Sequence, residues 1–364
     1  MEIYLPIAQV SVDIFLLLFL SLIVGVLSGL FGVGGGFLMT PFLIFMGIPP
    51  AYAVPNEVNN ILATSVSGSL THYFKNTLDY KMGAMIVVGG IFGTLLGIST
   101  FTYFSEIGKI SLIISLLYMY LLAIVGTLMI IEGVKDIDQA RKKIVIKKKL
   151  HQHNFLHGLP LRMRFPKSKL YESALTPILL GLIVGFVAAM MGIGGAFLMV
   201  PAMIYVVGMP VKLIPGTSLF VTIFISAIVT ILHAFNYGSI DLTLVIPLIL
   251  GSILGVQFGQ KLGQYLDSSH LKTLFAMLLC TVAIAIAYDS FFNEKTKSNE
   301  NSQVVKTDLN WFADFTLNFS NDAPMLYGAF AILLAVGLGA LTAWLRKVYS
   351  DLRKKKLEDV KVTK

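Results

Sequence analysis

Long apolar runs alternate with short polar breaks along the whole chain. They cover residues 12–31, 36–48, 56–74, 82–104, 109–132, 174–191, 196–208, 214–236, 243–263, 270–290 and 326–345. A run such as ISLLYMYLLAIVGTLMII is apolar on every face, which predicts a buried or membrane-spanning helix. A β-barrel is excluded, because its strands would alternate apolar and polar positions over about ten residues. Eleven segments are therefore expected, all helical. Two of them, 36–48 and 196–208, are short for a full crossing.

Composition agrees: 56% of the 364 residues are hydrophobic and 13% charged, with a mean hydropathy of +0.79. A soluble domain carries roughly 25% charged residues, so the expected class is an all-α polytopic membrane protein with no sizeable soluble domain. The N-terminal MEIYLPIAQVSVD has no Lys or Arg before its apolar run, so the first span is expected to be retained and not cleaved as a signal peptide. Cys280, the single cysteine, lies in an apolar run and reads as a core residue, which excludes an intramolecular disulfide.

The net charge of +8 is concentrated in two places. Ten Lys or Arg lie between Arg141 and Lys169 and eight between Arg346 and Lys364, so both stretches are expected in the cytoplasm. That distribution is topological and gives no reason to expect a nucleic-acid partner. KKIVIKKKL and LPLRMRFP are expected to lie against anionic lipid headgroups. HQHNFLHG, with His151, His153 and His157, has no accompanying carboxylate or thiol, so no metal site is assigned there. The polar connection 291–325 is expected outside. Five segments separate it from the basic loop, and an odd number is what a change of side requires, so the N-terminus is also placed outside and the C-terminus inside.

The chain repeats itself. Gly25, Gly32, Gly34, Gly35, Phe37, Leu38, Met39 and Pro41 recur 160 positions later as Gly185, Gly192, Gly194, Gly195, Phe197, Leu198, Met199 and Pro201. At 161, Gly47, Pro49, Ser65 and His72 recur as Gly208, Pro210, Ser226 and His233, and at 162, Asp79, Gly89, Gly93 and Gly97 recur as Asp241, Gly251, Gly255 and Gly259. Two five-segment units plus one extra C-terminal helix follow. Because five is odd, the two units must be inverted, as in many secondary transporters. The expected divisions are 1–132 and 174–290 for the repeats, 133–173 for the basic loop, 291–325 for the outer loop, and 326–364 for the last helix and tail.

GVGGG and GIGGA lack the Gly-Lys-Ser/Thr of a nucleotide loop, and each follows an apolar helix instead of a strand. Two readings remain. The glycines break a helix where backbone lines a cavity, so that Gly34, Gly35, Gly36, Gly194 and Gly195 offer N–H groups to a small anion, or they only let helices approach. For the four-residue spacings Gly89/Gly93/Gly97 and Gly251/Gly255/Gly259, helix packing is expected.

The third and eighth segments are the most polar. Asn56, Asn59, Asn60, Thr217 and Ser218, beside apparent proline breaks at Pro49-Pro50, Pro55 and Pro215, are candidate substrate contacts. His72 and His233 are candidates for either interfacial packing or substrate contact. The hydroxyl stripe Ser218, Thr222, Ser226 and Thr230 can equally back-bond to its own helix. Glu57, Asp79 and Asp241 are placed near segment ends, which counts against a cation permease. A membrane enzyme using His72 or His233 with Glu57 or Asp79 would leave the duplication unexplained. No cofactor is expected.

The phrases FGVGGGFLMTP and MGIGGAFLMVP, with GTSLF at 216–220, AFNYGSIDL at 234–242 and MRFPKSKLYESALTP at 163–177, resemble the sulfite exporter TauE/SafE family of bacterial membrane permeases. The resemblance covers roughly residues 12–290. It implies a secondary transporter exporting small sulfur-containing oxyanions, such as sulfite or organosulfonates, across the inner membrane. Another small anion such as a carboxylate is the alternative, and the oligomeric state is left open. PNEVNN at 55–60 stands where the second copy has GTSLFV at 216–221, so the two half-sites differ chemically.

A compartment-sensitive reporter fused at residue 150 is expected to signal the cytoplasm and one at residue 305 the outside. The same signal at both positions would rule out the inversion.

Overall fold

The computed structural model of the chain describes residues 2–31, 38–141, 161–210, 212–262, 268–292 and 311–362. The first half holds a hairpin of β1 (Glu2–Leu5) and β2 (Val10–Asp13), then helices α1 (Ile14–Phe31), α2 (Met39–Phe45), α3 (Pro50–Phe74), α4 (Tyr80–Glu106) and α5 (Ile110–Arg141). The second repeats the order: β3 (Arg162–Phe165) and β4 (Leu170–Ser173), then α6 (Leu175–Met191), α7 (Ala196–Tyr205), α8 (Ile214–Tyr237), α9 (Leu242–Leu262) and α10 (Ser268–Phe292). Two further helices follow, α11 (Trp311–Asp322) and α12 (Pro324–Val362).

Among the described residues, five helices contain stretches long and apolar enough to cross a membrane: Tyr80–Glu106, Ile110–Ile131, Ile214–Tyr237, Leu242–Gly259 and Pro324–Val348. Ile14–Leu30, Leu175–Met191, Ala196–Tyr205 and Ala276–Tyr288 are shorter apolar helices. The helix α2 has only 7 residues, about 10 Å at the usual rise, so it cannot cross a bilayer by itself. The chain is a multi-pass, largely α-helical membrane protein.

Glycine sets how the helices meet. A Cβ added at Gly89, Gly93 or Gly97 of α4 would fall within 3 Å of the carbonyl oxygens of Ile178, Leu182 and Phe186 on α6. On the other seam, Gly255 and Gly259 of α9 are equally close to the carbonyls of Leu22 and Val26 on α1, and Gly251 meets Ser21. Both four-residue glycine spacings therefore serve close backbone packing, as their spacing predicts. The contacts climb together in sequence, so α4 runs parallel to α6 and α1 parallel to α9. At the centre the sense reverses: Gly216 at the start of α8 lies against His72 near the end of α3, and Gly68 against Leu219. Hence α3 and α8 cross antiparallel. The helices α5 and α10 pair with each other, Gly126 lying against Cys280.

Several expectations need correction or detail. Within LPLRMRFP, Arg162–Phe165 pairs with Leu170–Ser173 in register Arg162↔Ser173; Phe165 is fully buried while Arg162 and Arg164 stay exposed. The N-terminal hairpin has the same register, Glu2↔Asp13, with Leu5 buried at the equivalent place. The all-α expectation thus gains two small hairpins, too short to leave a periodic signal. Pro55 does not break its helix; α3 starts at Pro50, capped by Pro49, and Pro55 sits inside it. Pro215 occupies the first turn of α8, where a missing N–H costs nothing. Within 291–325, residues 311–322 form α11, whose Ala313, Thr316 and Ser320 are buried. The last helix continues through the basic tail to Val362. It packs on α3 and α8, with Gly339 against the Ala63 carbonyl and Thr342 Oγ1 donating to Ser67 Oγ at 3.0 Å. His151, His153 and His157 lie outside the described residues.

A Cβ at Gly93 has backbone in its way, whereas one at Gly337 in α12 meets nothing within 4 Å. Gly93→Ala is therefore expected to destabilise by about 1–3 kcal/mol, through forced backbone shifts. Gly337→Ala should leave the melting temperature unchanged or raise it slightly, since glycine in a helix costs roughly 0.5–1 kcal/mol relative to alanine. Melting of the two variants in one detergent checks both.

Candidate functional site

The centre of the bundle is the crossing of α3 and α8, flanked by the break between α6 and α7. Met191 ends α6, and Gly192, Gly194 and Gly195 follow with φ of 71°, 67° and 79°. These left-handed values suit glycine and few other residues, so the GIGG sequence itself forces the break. The break packs on α3: Gly192 lies against Val54, Gly194 against Ile61, and Gly195 against Val184 of α6. Alanine at any of the three would be strained by its φ whether or not a ligand binds. Gly34, Gly35 and Gly36, the matching cluster of the first half, lie outside the described residues.

Two carbonyls at the end of α6 are claimed from neighbouring helices. The Tyr118 hydroxyl of α5 donates to Met191 O at 2.5 Å. His233 of α8 donates from Nε2 to Ala189 O at 3.2 Å, which leaves Nδ1 as an acceptor, and its ring stands edge-on to Phe101 at 4.7 Å between centroids. His233 is fully buried and holds the last turn of α6, just before the break. By contrast, His72 lies at the far end of α3, half buried, with Nδ1 2.8 Å from Thr77 Oγ1. The two equivalent histidines do not meet.

Asn56 and Thr217, equivalent positions, perform the same task. The backbone N–H of Asp241 donates to Asn56 Oδ1 at 2.6 Å, and that of Asp79 to Thr217 Oγ1 at 3.0 Å. Asn56 Nδ2 is spent on the carbonyls of Tyr52 and Ser239, and Thr217 Oγ1 on that of Leu213. Each residue ties the middle of the bundle to the head of α9 or α4. The aspartates then reach further. Asp79 accepts from Met82 N–H, capping α4, and from the amide and hydroxyl of Ser168 in the second hairpin. Asp241 accepts from Thr243 N–H and from Ile7 N–H in the first hairpin. Each half's hairpin is thus clamped by the other half's aspartate. The sequence signal was there, an aspartate pair in register, but it was read only as part of the repeat.

Ser218 back-bonds to Pro215 O at 3.1 Å and Thr222 to Ser218 O at 2.9 Å. Asn59 Nδ2 reaches Ala331 O on α12 at 3.4 Å. Asn60 Nδ2 faces both oxygens of Glu57, each at 3.2 Å, and Ser252 Oγ on α9 at 3.0 Å. Glu57 is completely buried, one turn after Val54 and one before Ile61 along α3. Its placement near a segment end is therefore wrong, an error that followed from taking Pro55 as a break. Tyr118 carries no signal in the sequence, and Glu57, a lone carboxylate in a polar stripe, enters it only through the cation-permease and enzyme alternatives.

Several buried polar atoms on these helices make no hydrogen bond among the described residues: Asn59 Oδ1, Asn60 Oδ1, Ser65 Oγ, Ser226 Oγ, Thr230 Oγ1 and His233 Nδ1. Inside a membrane such atoms are costly unless water or a ligand meets them. Among the described residues there is no group of three His, Cys, Asp or Glu able to hold a metal ion.

The model of the sulfite exporter TauE/SafE family matches residues 17–286, from α1 into α10. The chain belongs to that family. Its relatives carry only general names. A probable membrane transporter protein YjnA of Bacillus subtilis (strain 168) is 29% identical over 264 residues, covering 72% of this chain and 95% of its own. The probable membrane transporter protein YunE of the same organism is 24% identical over 286 residues, covering 76% and 98%. A probable membrane transporter protein of Methanocaldococcus jannaschii is 28% identical over 282 residues, covering 72% and 91%. No solved structure matches the chain. The first hairpin, α11 and α12 lie outside the matched TauE/SafE region.

Removing one aspartate should release one hairpin only. In Asp241→Ala, hydrogen exchange at the Ile7 amide is expected to speed up by about ten- to a hundredfold, the loss of a charge-assisted bond, while Ser168 stays protected. Asp79→Ala should do the reverse.

Proposed function

We propose that this TauE/SafE protein is a secondary transporter, working as an exporter, of small sulfur-containing oxyanions such as sulfite or organosulfonates across the bacterial inner membrane. The observation that carries the proposal is the set of buried polar atoms on α3 and α8 that make no hydrogen bond among the described residues, together with the glycine break before α7 that packs on α3. Hydroxyls, amides and helix-end N–H groups are donors suited to an oxyanion, and the positive end of a helix dipole favours negative charge. Gly194, Gly195, Asn59, Asn60, Ser218 and His233 are the described members of that site, with Gly34, Gly35 and Gly36 completing it from the other half. Asn56, Thr217 and His72 support it from its margins.

The architecture proposed for transport is a pair of inverted repeats, residues 1–132 and 174–290. Support comes from the parallel pairs α1 with α9 and α4 with α6, together with the antiparallel crossing of α3 with α8. An axis in the membrane plane generates that set of directions if each half makes five crossings. The N-terminus and the 291–325 connection then face outward, and the 133–173 loop and the C-terminus the cytoplasm, beside anionic lipid. A transporter name on every relative reported, and the use that alternating access has for two half-sites, favour transport over catalysis.

A thermal-shift screen of the purified protein against sulfite, sulfate, thiosulfate, organosulfonates and carboxylates tests the substrate class. A true substrate at about a hundred times its Kd adds about 2.7 kcal/mol of stability. Stabilisation by sulfite or a sulfonate, with counterflow of the same anion in proteoliposomes, is the expected result. Stabilisation by carboxylates alone would overturn the sulfur assignment.

A further inference from the structure

The structure holds a carboxyl group that oxyanion binding does not call for. Glu57 is fully buried in α3, on the stripe whose Val54 and Ile61 contact the glycine break, and so beside the proposed anion site. Among the described residues it has one hydrogen-bonding partner, the Asn60 amide, and no Lys, Arg or His side chain pairs with it. The titratable groups on neighbouring elements are engaged elsewhere. Tyr118 of α5, an electrostatic neighbour of Glu57, gives its hydroxyl proton to Met191 O, and His233 of α8 is bonded to Ala189. The Asp241 carboxylate at the head of α9 is turned to Ile7 and Thr243, while Tyr327 of α12 accepts from Leu242 N–H. Among the described residues, the buried polar side chains of α1, α2 and α9 are the hydroxyls of Ser21, Ser28, Thr40 and Ser252.

An ionised carboxylate in such a place costs several kcal/mol unless a cation joins it, and an anion brought alongside adds direct repulsion in a low dielectric. We propose that Glu57 is the proton-binding site of the transport cycle, loading a proton when the anion binds and releasing it to water when the anion leaves. The proposal rests on the anion-transporter reading above. The only bond made and broken is the carboxyl O–H, and the proton passes between bulk water and Glu57.

Asn60 is suited to both states. With Glu57 ionised, the amide N–H₂ faces it, as found. With Glu57 protonated, a half-turn of the amide brings Oδ1, now unpartnered, round to accept the new O–H. A dianion carried with one proton moves one net negative charge, and a membrane potential negative inside drives that charge outward. The equivalent position in the second half is Ser218, so only one of the two half-sites carries the proton.

The test uses the full chain in proteoliposomes, with sulfite as the probe. In the wild type, a pH gradient is expected to drive sulfite accumulation. Glu57→Gln should lose that accumulation and keep sulfite counterflow, while Glu57→Asp should regain part of the gradient response. Gradient-driven accumulation that survives in Glu57→Gln overturns the proposal, and so does a wild type that exchanges sulfite with no response to pH. Failure of any anion to exchange would instead overturn the transporter reading. In that case infrared difference spectra still decide: a protonated-carboxyl band that titrates in the wild type and is missing in Glu57→Gln supports the site, and no such band refutes it.

Discussion

Backbone touching backbone along two glycine seams is the constraint on which the rest of the bundle depends. In a bilayer no hydrophobic force draws one apolar helix to another, so association must come from close van der Waals contact and from polar groups that find partners. The α4–α6 and α1–α9 seams supply the first, because Gly93, Gly97, Gly255 and Gly259 let a helix rest on the carbonyls of its neighbour. Those seams join elements from opposite halves of the chain. Neither half can pack its own helices fully without the other, and the central pair α3 and α8 is left between them. Close packing at the walls thereby permits a polar, loosely satisfied middle.

The hairpins belong to the same logic. Each is tied to the opposite half through an aspartate that also caps a helix, Asp79 for α4 and Asp241 for α9. Asn56 and Thr217 take up the backbone N–H groups of those aspartates, which links the hairpins to the start of α3 and α8. Any rocking of one half against the other must act on these links. Extra mass sits on one side only: α12 covers α3 near Asn59 and Ala63, α11 packs on α9 and α12, and nothing equivalent is repeated among the described residues. The duplicated core is therefore symmetric in its walls and asymmetric in its cover.

Much of this was legible because it depends on periodicity and on glycine. Apolar runs located eleven of the helices, to within a few residues except at the start of α3 and the ends of α5 and α12, and the four-residue glycine spacings correctly marked the seams. What was not legible depends on tertiary context. Four-residue strands such as Arg162–Phe165 carry too few positions for alternation to show, and the turn that joins them is held by Asp79, a residue far away in the chain. Pro55 reads as a break in isolation, yet α3 runs through it as its sixth residue, giving up the N–H bond to the Ala51 carbonyl while the packing around the helix holds. For the site, the sequence could nominate Asn56 and Asn60 equally. Only the geometry separates an amide whose hydrogen-bonding capacity is used from one with an oxygen to spare.

That separation also changes what the duplicated phrase means. The two halves share the glycine break but differ at the helix beside it, where PNEVNN faces GTSLFV. A strictly symmetric pair of half-sites would bind an anion and carry it equally in both directions, with no handle for an energy source. Replacing Ser218 of one half by Glu57 in the other adds a titratable group to one side of the same crossing, at the cost of a buried carboxyl that must be neutralised. On the proposed reading, that one carboxyl is what a proton gradient would act on: the glycine walls are written twice in the chain, and the buried charge once.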